Sequence, residues 1–166
     1  SISTWAKDII KDKVCLKDYS ILDAQGHSIA QATSSWLLVN MKTGKAENPA
    51  NAPYPIPLIQ GKNALPEMMD ILDPQVDPQI VATEIAKYSD LDMNKHVNHC
   101  RYVDWVTNSL DPQELKSRRI RSIQINYISQ IPLGGKVNIV RFKNTNHHAY
   151  IFGKSKIGRA SCRARV

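Results

Sequence analysis

Residues 89–105 read SDLDMNKHVNHCRYVDW and say more about fold and chemistry than any other part of this chain. They place a carboxylate, an amide and an imidazole at alternate positions, Asp92, Asn94 and His96. The apolar residues that follow recur with the spacing of one helix face: Val103, Val106 and Leu110. The pattern predicts a polar cluster at a helix N-terminus, where free backbone N–H groups favour negative charge.

Around this cluster the pattern predicts a helix accompanied by an antiparallel sheet. The helix is predicted over residues 98–110 and ends at Asp111-Pro112. Residues 132–135, PLGG, predict a turn. Strands are predicted over four segments: residues 80–88, 120–128, 136–143 and 148–154.

The N-terminal part of the chain predicts strands without a long helix. Within residues 1–47, strands are expected over 14–22 and 29–39, and turns over 23–26 and 41–45. Residues 48–79 hold seven of the nine prolines in the chain, which favours an extended surface segment. We therefore expect a linker there, between a β-rich unit and a second unit over residues 80–156.

Composition excludes several classes of protein. The chain has 166 residues, is 42% hydrophobic, and shows no apolar run near the roughly 18–20 residues of a membrane span and no secretory leader. Its three cysteines are too few and too scattered for a disulfide framework or a zinc site, so a cytoplasmic location is predicted. The net charge of +7 is not interleaved with aromatic residues, which argues against nucleic acid and suits an acidic protein partner.

The last ten residues stand apart from the rest. Residues 157–166, IGRASCRARV, lose the strand alternation and resemble a translated sequencing adapter. We expect this segment to be non-native and assign it no function. The alternative is a basic tail for electrostatic docking.

The block from Asp92 to Tyr102 closely resembles the active-site segment of the acyl-acyl carrier protein thioesterases of the bacterial type, and residues 32–36, ATSSW, are the second match. The resemblance covers residues 1–155 and implies an α+β, tandem (double) hotdog fold with an incomplete N-terminal repeat. Residues 1–47 would be the closing strands of the N-terminal hotdog and residues 80–156 the C-terminal catalytic hotdog. The chain is therefore expected to be a piece of a longer protein.

The chemistry expected of this block is thioester hydrolysis, and the resemblance implies the triplet Asp92, Asn94 and His96 as its catalytic residues. Hydrolysis needs an activated water, a donor for the oxyanion and a group that orients the base. Imidazole changes protonation near neutral pH, so His96 is the candidate base. Asp92 would orient the imidazole or share in activating the water, and Asn94 would donate to the carbonyl or hold the water. The backbone N–H groups near Val97 and Asn98 are expected to complete the oxyanion site, and no metal or cofactor is required. Alone, however, Asp-x-Asn before a helix is more often capping chemistry.

Two residues depart from the resemblance. The family also uses a Glu after the following strand, and alignment from Tyr127 places that position at Gln130. Gln130 can hold water by hydrogen bonding but cannot act as a base. His99 stands where the family commonly has Asn, and we interpret it as a tolerated neighbour.

A basic cluster follows the predicted helix: Lys116, Arg118, Arg119 and Arg121. It is either a solvated strand entry or a contact for an acidic acyl carrier protein that bears a fatty acyl-phosphopantetheine, with Arg118 and Arg119 as the contact residues. Two other functions stay open, an acyl-CoA thioesterase and a non-catalytic hotdog that binds acyl chains or the carrier protein. Association of two copies to cover open sheet edges is a further expectation.

Overall fold

A computed structural model of the chain describes residues 1–65, 79–117, 119–143, 149–154 and 160–165. The chain divides into two compact units, Ser1–Met68 and Met69–Val166. Among the residues described, none of the helices combines the length and the apolar character needed to cross a bilayer.

The first unit is a four-stranded antiparallel meander in the order β1-β2-β3-β4. The strands are β1 (Ile2–Ile10), β2 (Val14–Leu22), β3 (Ser28–Val39) and the short β4 (Ala46–Glu47), followed by a 3-10 turn at Pro49–Asn51. The strands and turns predicted between residues 14 and 45 are confirmed. The β2–β3 turn is closed by Asp23, whose pKa lies below its ordinary value mainly because the backbone N–H of His27 donates to its carboxylate.

A buried ion pair lies at the centre of this sheet. The register between β1 and β2 shifts at Lys7, because Ala6 pairs with Lys17 and Asp8 with Leu16. Such a β-bulge changes the direction of a side chain relative to the regular alternation along the strand. Lys7 Nζ lies 3.2 Å from Asp18 Oδ1, and the Asp18 side chain is fully buried. Thr33 Oγ1 donates to the same carboxylate oxygen at 2.6 Å.

The same cluster holds the segment that follows the meander. Ala64 N donates to Asp18 Oδ2 at 2.7 Å, and Lys7 Nζ donates to the carbonyl of Leu65 at 3.0 Å. Trp5 Nε1 donates to the carbonyl of Lys62 at 2.8 Å. Residues 58–65, within the proline-rich stretch, therefore pack on the sheet of the first unit. Residues 66–78 of that stretch lie outside the described residues, and so does most of the helical turn considered near residues 65–72.

In its described residues, the second unit combines two α-helices with a five-stranded antiparallel sheet in the order β5-β7-β8-β9-β6. Its elements run in chain order as follows: β5 (Gln79–Ile85), α1 (His99–Asn108), α2 (Pro112–Ser117), β6 (Gln124–Tyr127), β7 (Lys136–Lys143), β8 (Ala149–Lys154) and β9 (Ala160–Arg165). Its hydrophobic core joins the inner face of α1 to β5, to β7 and to the loop before β7: Ala86, Val97, Tyr102, Trp105, Val106, Leu110, Ile131, Val137 and Ile139.

Helix α1 begins where the sequence predicts, with Asn98 as its N-cap. The Asn98 side chain accepts from the backbone N–H of Cys100 at 2.9 Å, which satisfies one of the donors left open at a helix start. Pro112 does not simply end the helical region, as predicted, because it also begins α2. Asp111 Oδ1 accepts from the backbone N–H of Gln113 at 2.8 Å, and a proline fits the first helical turn, where its missing N–H has no partner to lose.

Two strands of the second unit are shorter than predicted. Residues 80–88 were expected to form one strand, but β5 stops at Ile85 and residues Tyr88–Asp90 form a 3-10 turn. The strand expected over residues 120–128 is confined to β6, Gln124–Tyr127. The apolar alternation extends beyond the backbone pairing in both places.

The structure differs from the sequence prediction at the C-terminal end. No strand is expected after residue 156, yet β9 pairs with β8 on one side and with β6 on the other. Ladder hydrogen bonds join backbone groups, so a segment without apolar alternation can still fill a place between two strands. The origin of residues 157–166 is a separate matter, and their non-native character stays a prediction.

Candidate active site

The triplet Asp92, Asn94 and His96 lies on a tight hairpin over residues 91–97, the site hairpin. Leu91 pairs with Val97, Asp92 N donates to the carbonyl of His96 at 2.9 Å, and Lys95 N donates to the carbonyl of Asp92 at 3.0 Å. Lys95 has a φ of 63°, so a turn is followed by one left-handed residue, a common hairpin geometry. Asp92 and His96 thus lie opposite each other, and such pairs have side chains on one face with Cβ atoms about 4.5–5.5 Å apart.

Asp92 shapes this loop with its carboxylate. Its Oδ1 accepts from the backbone N–H of Asn94 at 2.8 Å, which closes a side-chain turn over the tip. The Asp92 side chain is half-buried and the Asn94 side chain is exposed at the tip. Asp92 therefore closes the hairpin turn and does not cap the helix, whose N-cap is Asn98.

One ring nitrogen of His96, Nδ1, is buried without a hydrogen-bond partner among the described residues. The residue as a whole is half-buried. Leaving a buried nitrogen unbonded is unfavourable by about 1–3 kcal/mol. A general base needs a ring nitrogen that is free to accept a proton, and a neighbouring anion would stabilise the imidazolium that forms.

The backbone amides expected to form the oxyanion site are already bonded, which corrects the prediction. Val97 N donates to the carbonyl of Ile131 at 2.9 Å, and Asn98 N donates to the carbonyl of Asp90 at 2.8 Å. Both bonds anchor the site hairpin to its neighbours. In the first turn of α1, Asn98 accepts from Cys100, whereas the backbone N–H of His99 has no partner in the described part of the chain.

Asp90 and Arg101 fix the base of the site hairpin, a role that the sequence reasoning missed. Asp90 Oδ2 accepts from the backbone N–H of Lys87 at 2.8 Å, and Arg101 Nε lies 3.7 Å from Asp90 Oδ1. Arg101 also donates to Asp104 at 3.0 Å. The (i, i+3) spacing of Arg101 and Asp104 on the predicted helix signals that pair, but nothing in the sequence signals the contact between Arg101 and Asp90.

Gln130 lies beside the site hairpin. The bond from Val97 to Ile131 and the bridge between His96 and Pro132 define an antiparallel register, in which Gln130 is diagonal to His96. Val97 and Ile131 are both buried in the core, so this register assigns His96 and Gln130 to the other face. Gln130 is exposed. Asp92, Asn94 and His96 lie on the site hairpin, and Gln130 lies one residue before Ile131, which bonds to that hairpin.

An aromatic cluster adjoins the site at the start of α1. The rings of His99 and Tyr127 lie 4.3 Å apart between centroids and are tilted by 31°, and Tyr127 Oη donates to the carbonyl of His99 at 3.3 Å. The ring of Tyr102 meets Tyr127 edge-on at 5.4 Å. His99 is thus more than a tolerated neighbour, because it connects the helix start to the end of β6.

Of the two arginines predicted to contact a carrier protein, the structure describes one. Arg118 lies outside the described residues, and Arg119 is exposed in the stretch between α2 and β6. Cys100 is exposed on the first turn of α1 as a free thiol. The role of Arg119 in contacting a carrier protein stays a prediction.

The family model "Acyl-ACP thioesterase C-terminal domain" matches residues 77–163, which include the whole site. A palmitoyl-acyl carrier protein thioesterase of Cuphea hookeriana is 25% identical over 137 residues, covering 76% of this chain and 32% of that protein. An oleoyl-acyl carrier protein thioesterase of Coriandrum sativum is 24% identical over 124 residues, covering 67% of this chain and 33% of that protein. The chain therefore spans about a third of the length of these curated relatives.

Solved structures show the same fold. An acyl-ACP thioesterase from Bacteroides thetaiotaomicron superposes with a TM-score of 0.88 at 23% identity, over 99% of this chain and 66% of that one. A 12:0-ACP thioesterase from Umbellularia californica superposes with a TM-score of 0.74 at 18% identity, over 99% of this chain and 65% of that one. The predicted α+β hotdog fold is confirmed. With a family model matching more than half of its residues, the chain belongs to the acyl-ACP thioesterase family.

Proposed function

We propose that this chain hydrolyses the thioester of a fatty acyl-acyl carrier protein and releases the free fatty acid. The observation that carries the proposal is the site hairpin, which sets the carboxylate of Asp92 opposite His96 while the buried Nδ1 of His96 lacks a partner among the described residues. Membership of the acyl-ACP thioesterase family and the names of its relatives support the same reaction.

In the proposed reaction, His96 acts as the general base. Its imidazole removes a proton from water as the water oxygen attacks the thioester carbonyl carbon, and Asp92 stabilises the imidazolium that forms. The tetrahedral intermediate collapses with cleavage of the C–S bond. His96 returns the proton to the departing thiolate of the phosphopantetheine arm, so that the products are a fatty acid and the free thiol of the carrier.

The negative charge on the carbonyl oxygen needs donors other than Val97 and Asn98, whose amides are already bonded. We assign this role to the side-chain amide of Asn94 at the hairpin tip, together with the backbone N–H of His99 at the start of α1. A helix N-terminus adds the positive end of its dipole to such a donor. Gln130, on the same face as His96, would hold the attacking water by hydrogen bonding.

The test is hydrolysis of a panel of acyl-acyl carrier proteins of different chain lengths, with His96→Ala as the blank. Loss of the base is expected to lower kcat by about 10²–10⁴-fold. His27→Ala is the matched control, because His27 is an exposed imidazole in the first unit. Equal rates for the chain and for His96→Ala, in folded proteins, would refute the proposal.

The carrier protein is the proposed partner, through Arg118 and Arg119. Their replacement together by Glu is expected to raise KM for acyl-acyl carrier protein and to weaken its dependence on salt, while the rate on a short acyl-CoA stays unchanged. A parallel assay on acyl-CoA measures the preference between the two carriers. Unchanged KM and salt dependence would remove the arginines from the interface.

Gln130 specifically favours a second candidate, a hotdog domain that binds acyl carrier protein without turnover. Glutamine supplies no carboxylate where the family resemblance implies one. Tight binding of acyl-acyl carrier protein, with hydrolysis no faster than that of His96→Ala, would support this function instead.

The cytoplasm is the proposed compartment, in keeping with the free thiols of Cys15 and Cys100. The association of two copies stays a prediction.

A further inference from the structure

Residues 128–130, which we call the arch, join the end of β6 to the loop that contacts the site hairpin. At its C-terminal end, the arch is fixed by the bond from Val97 N to the carbonyl of Ile131 and by the bridge between His96 and Pro132. At its N-terminal end lies Tyr127, the last residue of β6. The residues of the arch are exposed, and they include Gln130.

The N-terminal end of the arch is fixed by His99. The rings of His99 and Tyr127 stack at 4.3 Å, and the Tyr127 hydroxyl reaches the carbonyl of His99 at 3.3 Å. Tyr102, which is buried in the core, supports the Tyr127 ring from its edge. Both ends of the arch therefore rest on the short segment from His96 to His99, which also carries the proposed base and a proposed oxyanion donor.

We infer that His99 and Tyr127 are positioning residues, which act by holding the arch so that Gln130 faces His96. This inference rests on the proposed thioesterase function. Glutamine needs more accurate placement than a carboxylate, because a neutral amide must direct one particular oxygen or N–H at the water. In this way, the contact between the rings of His99 and Tyr127 connects the two residues that depart from the family resemblance, His99 and Gln130.

The structural part of the test measures backbone ¹⁵N relaxation in four forms of the chain: wild type, Tyr127→Phe, Tyr127→Leu and His99→Ala. Tyr127→Leu and His99→Ala remove the stack from opposite sides, so one of them remains informative if the other does not fold. The heteronuclear NOE of residues 128–130 is expected to fall in both. The Val97 amide, bonded to Ile131, is expected to keep its slow hydrogen exchange.

The kinetic part separates positioning from general destabilisation. His99→Ala and Tyr127→Leu are expected to lower kcat by about 10–100-fold with KM within about twofold, because small displacements of a catalytic group have effects of this size. Tyr127→Phe keeps the ring and is expected to retain at least about half of the wild-type kcat. Tyr54→Leu is the control, since Tyr54 is 80% exposed in the first unit.

A double-mutant cycle tests whether the pair acts through Gln130. In a Gln130→Ala background, His99→Ala is expected to lower kcat by less than about twofold further. Multiplicative effects, or an arch that stays rigid without the stack, would overturn the inference, as would a mobile arch with unchanged kcat. If the wild-type chain turns over no acyl thioester, the proposed function fails, and the relaxation data alone decide whether the stack holds the arch.

Discussion

Each unit of the chain carries a cluster of polar side chains on a β scaffold, and the two clusters differ in how completely their atoms are bonded. In the first unit, both carboxylate oxygens of Asp18 accept hydrogen bonds, and its charge is paired with Lys7. In the second unit, the buried Nδ1 of His96 has no partner in the described part of the chain.

The difference separates a structural role from a chemical one. A buried charge is tolerated only when it is paired and hydrogen-bonded, and both oxygens of the Asp18 carboxylate meet that condition. The proposed reaction, in contrast, requires a ring nitrogen that is free to accept a proton, the role assigned to His96. The degree of satisfaction of the buried polar atoms therefore distinguishes the two clusters better than their composition does.

Removal of the Asp18 carboxylate is expected to have the largest effect on stability. Asp18→Ala leaves Lys7 as an unpaired buried charge, and breaking one half of such a pair destabilises by about 3–5 kcal/mol. Urea unfolding followed by Trp fluorescence measures the change in free energy. Asp8→Ala removes an exposed carboxylate on β1, next to Lys7 in the chain; it is the control and should change the free energy by less than about 0.5 kcal/mol. Equal small effects would mean that Asp18 is not essential to the sheet.

Addition of a carboxylate to the second cluster tests whether it is chemically incomplete. Gln130→Glu is expected to raise the hydrolysis rate by roughly 10–1000-fold if a carboxylate base is what the site lacks. Initial rates on acyl-acyl carrier protein measure the change, with Gln113→Glu on α2 as the control for added charge. An unchanged or lower rate would show that the site is adapted to glutamine.

Removal of the N-cap side chain of α1 is expected to have an intermediate effect on stability. Asn98→Ala removes the acceptor for the Cys100 amide and is expected to lower the free energy of unfolding by about 1 kcal/mol. Asn98→Asp keeps an acceptor and should retain most of that stability. Thermal unfolding by circular dichroism measures both variants, and an equal loss in Asn98→Asp and Asn98→Ala would exclude capping as the reason.

The smallest effect is expected at the turn of the site hairpin. Lys95 adopts a φ of 63°, which is unfavourable for a side chain by about 1–2 kcal/mol, while glycine adds about 0.5–1 kcal/mol of entropy to the unfolded chain. Lys95→Gly is therefore expected to stabilise the chain by about 0.5 kcal/mol. Chemical denaturation measures it against Lys87→Gly, and a clear loss of stability would contradict a left-handed turn.

Local patterns in the sequence predicted much of this structure. Strand alternation predicted β2 and β3, and the helical spacing of Val103, Val106 and Leu110 predicted α1 with Asn98 at its start. Asp92, Asn94 and His96 were expected at a helix N-terminus, and they lie instead on the tight hairpin just before α1. These features depend on interactions between residues close in the chain.

Features that depend on distant partners were not predicted. The amides of Val97 and Asn98 were expected to be free, but Ile131 and Asp90 accept from them, and their spacing in the sequence gives no hint of this. The contact between His99 and Tyr127 likewise joins a helix start to a strand end. Strand β9 was missed because its place depends on β6 and β8, and its own sequence lacks alternation.

The position of β9 bears on the order in which this site can fold. In the described sheet, β6 pairs with β9, where Tyr127 meets Cys162 and Gln124 meets Arg165. Contacts between residues far apart in the chain form late, because a long loop must first be closed. Within the described sheet β6 pairs with β9 alone, so during synthesis this pairing must wait until residues 160–165 have left the ribosome. The site hairpin can form early from local bonds, but the strand that leads to Gln130 is completed last.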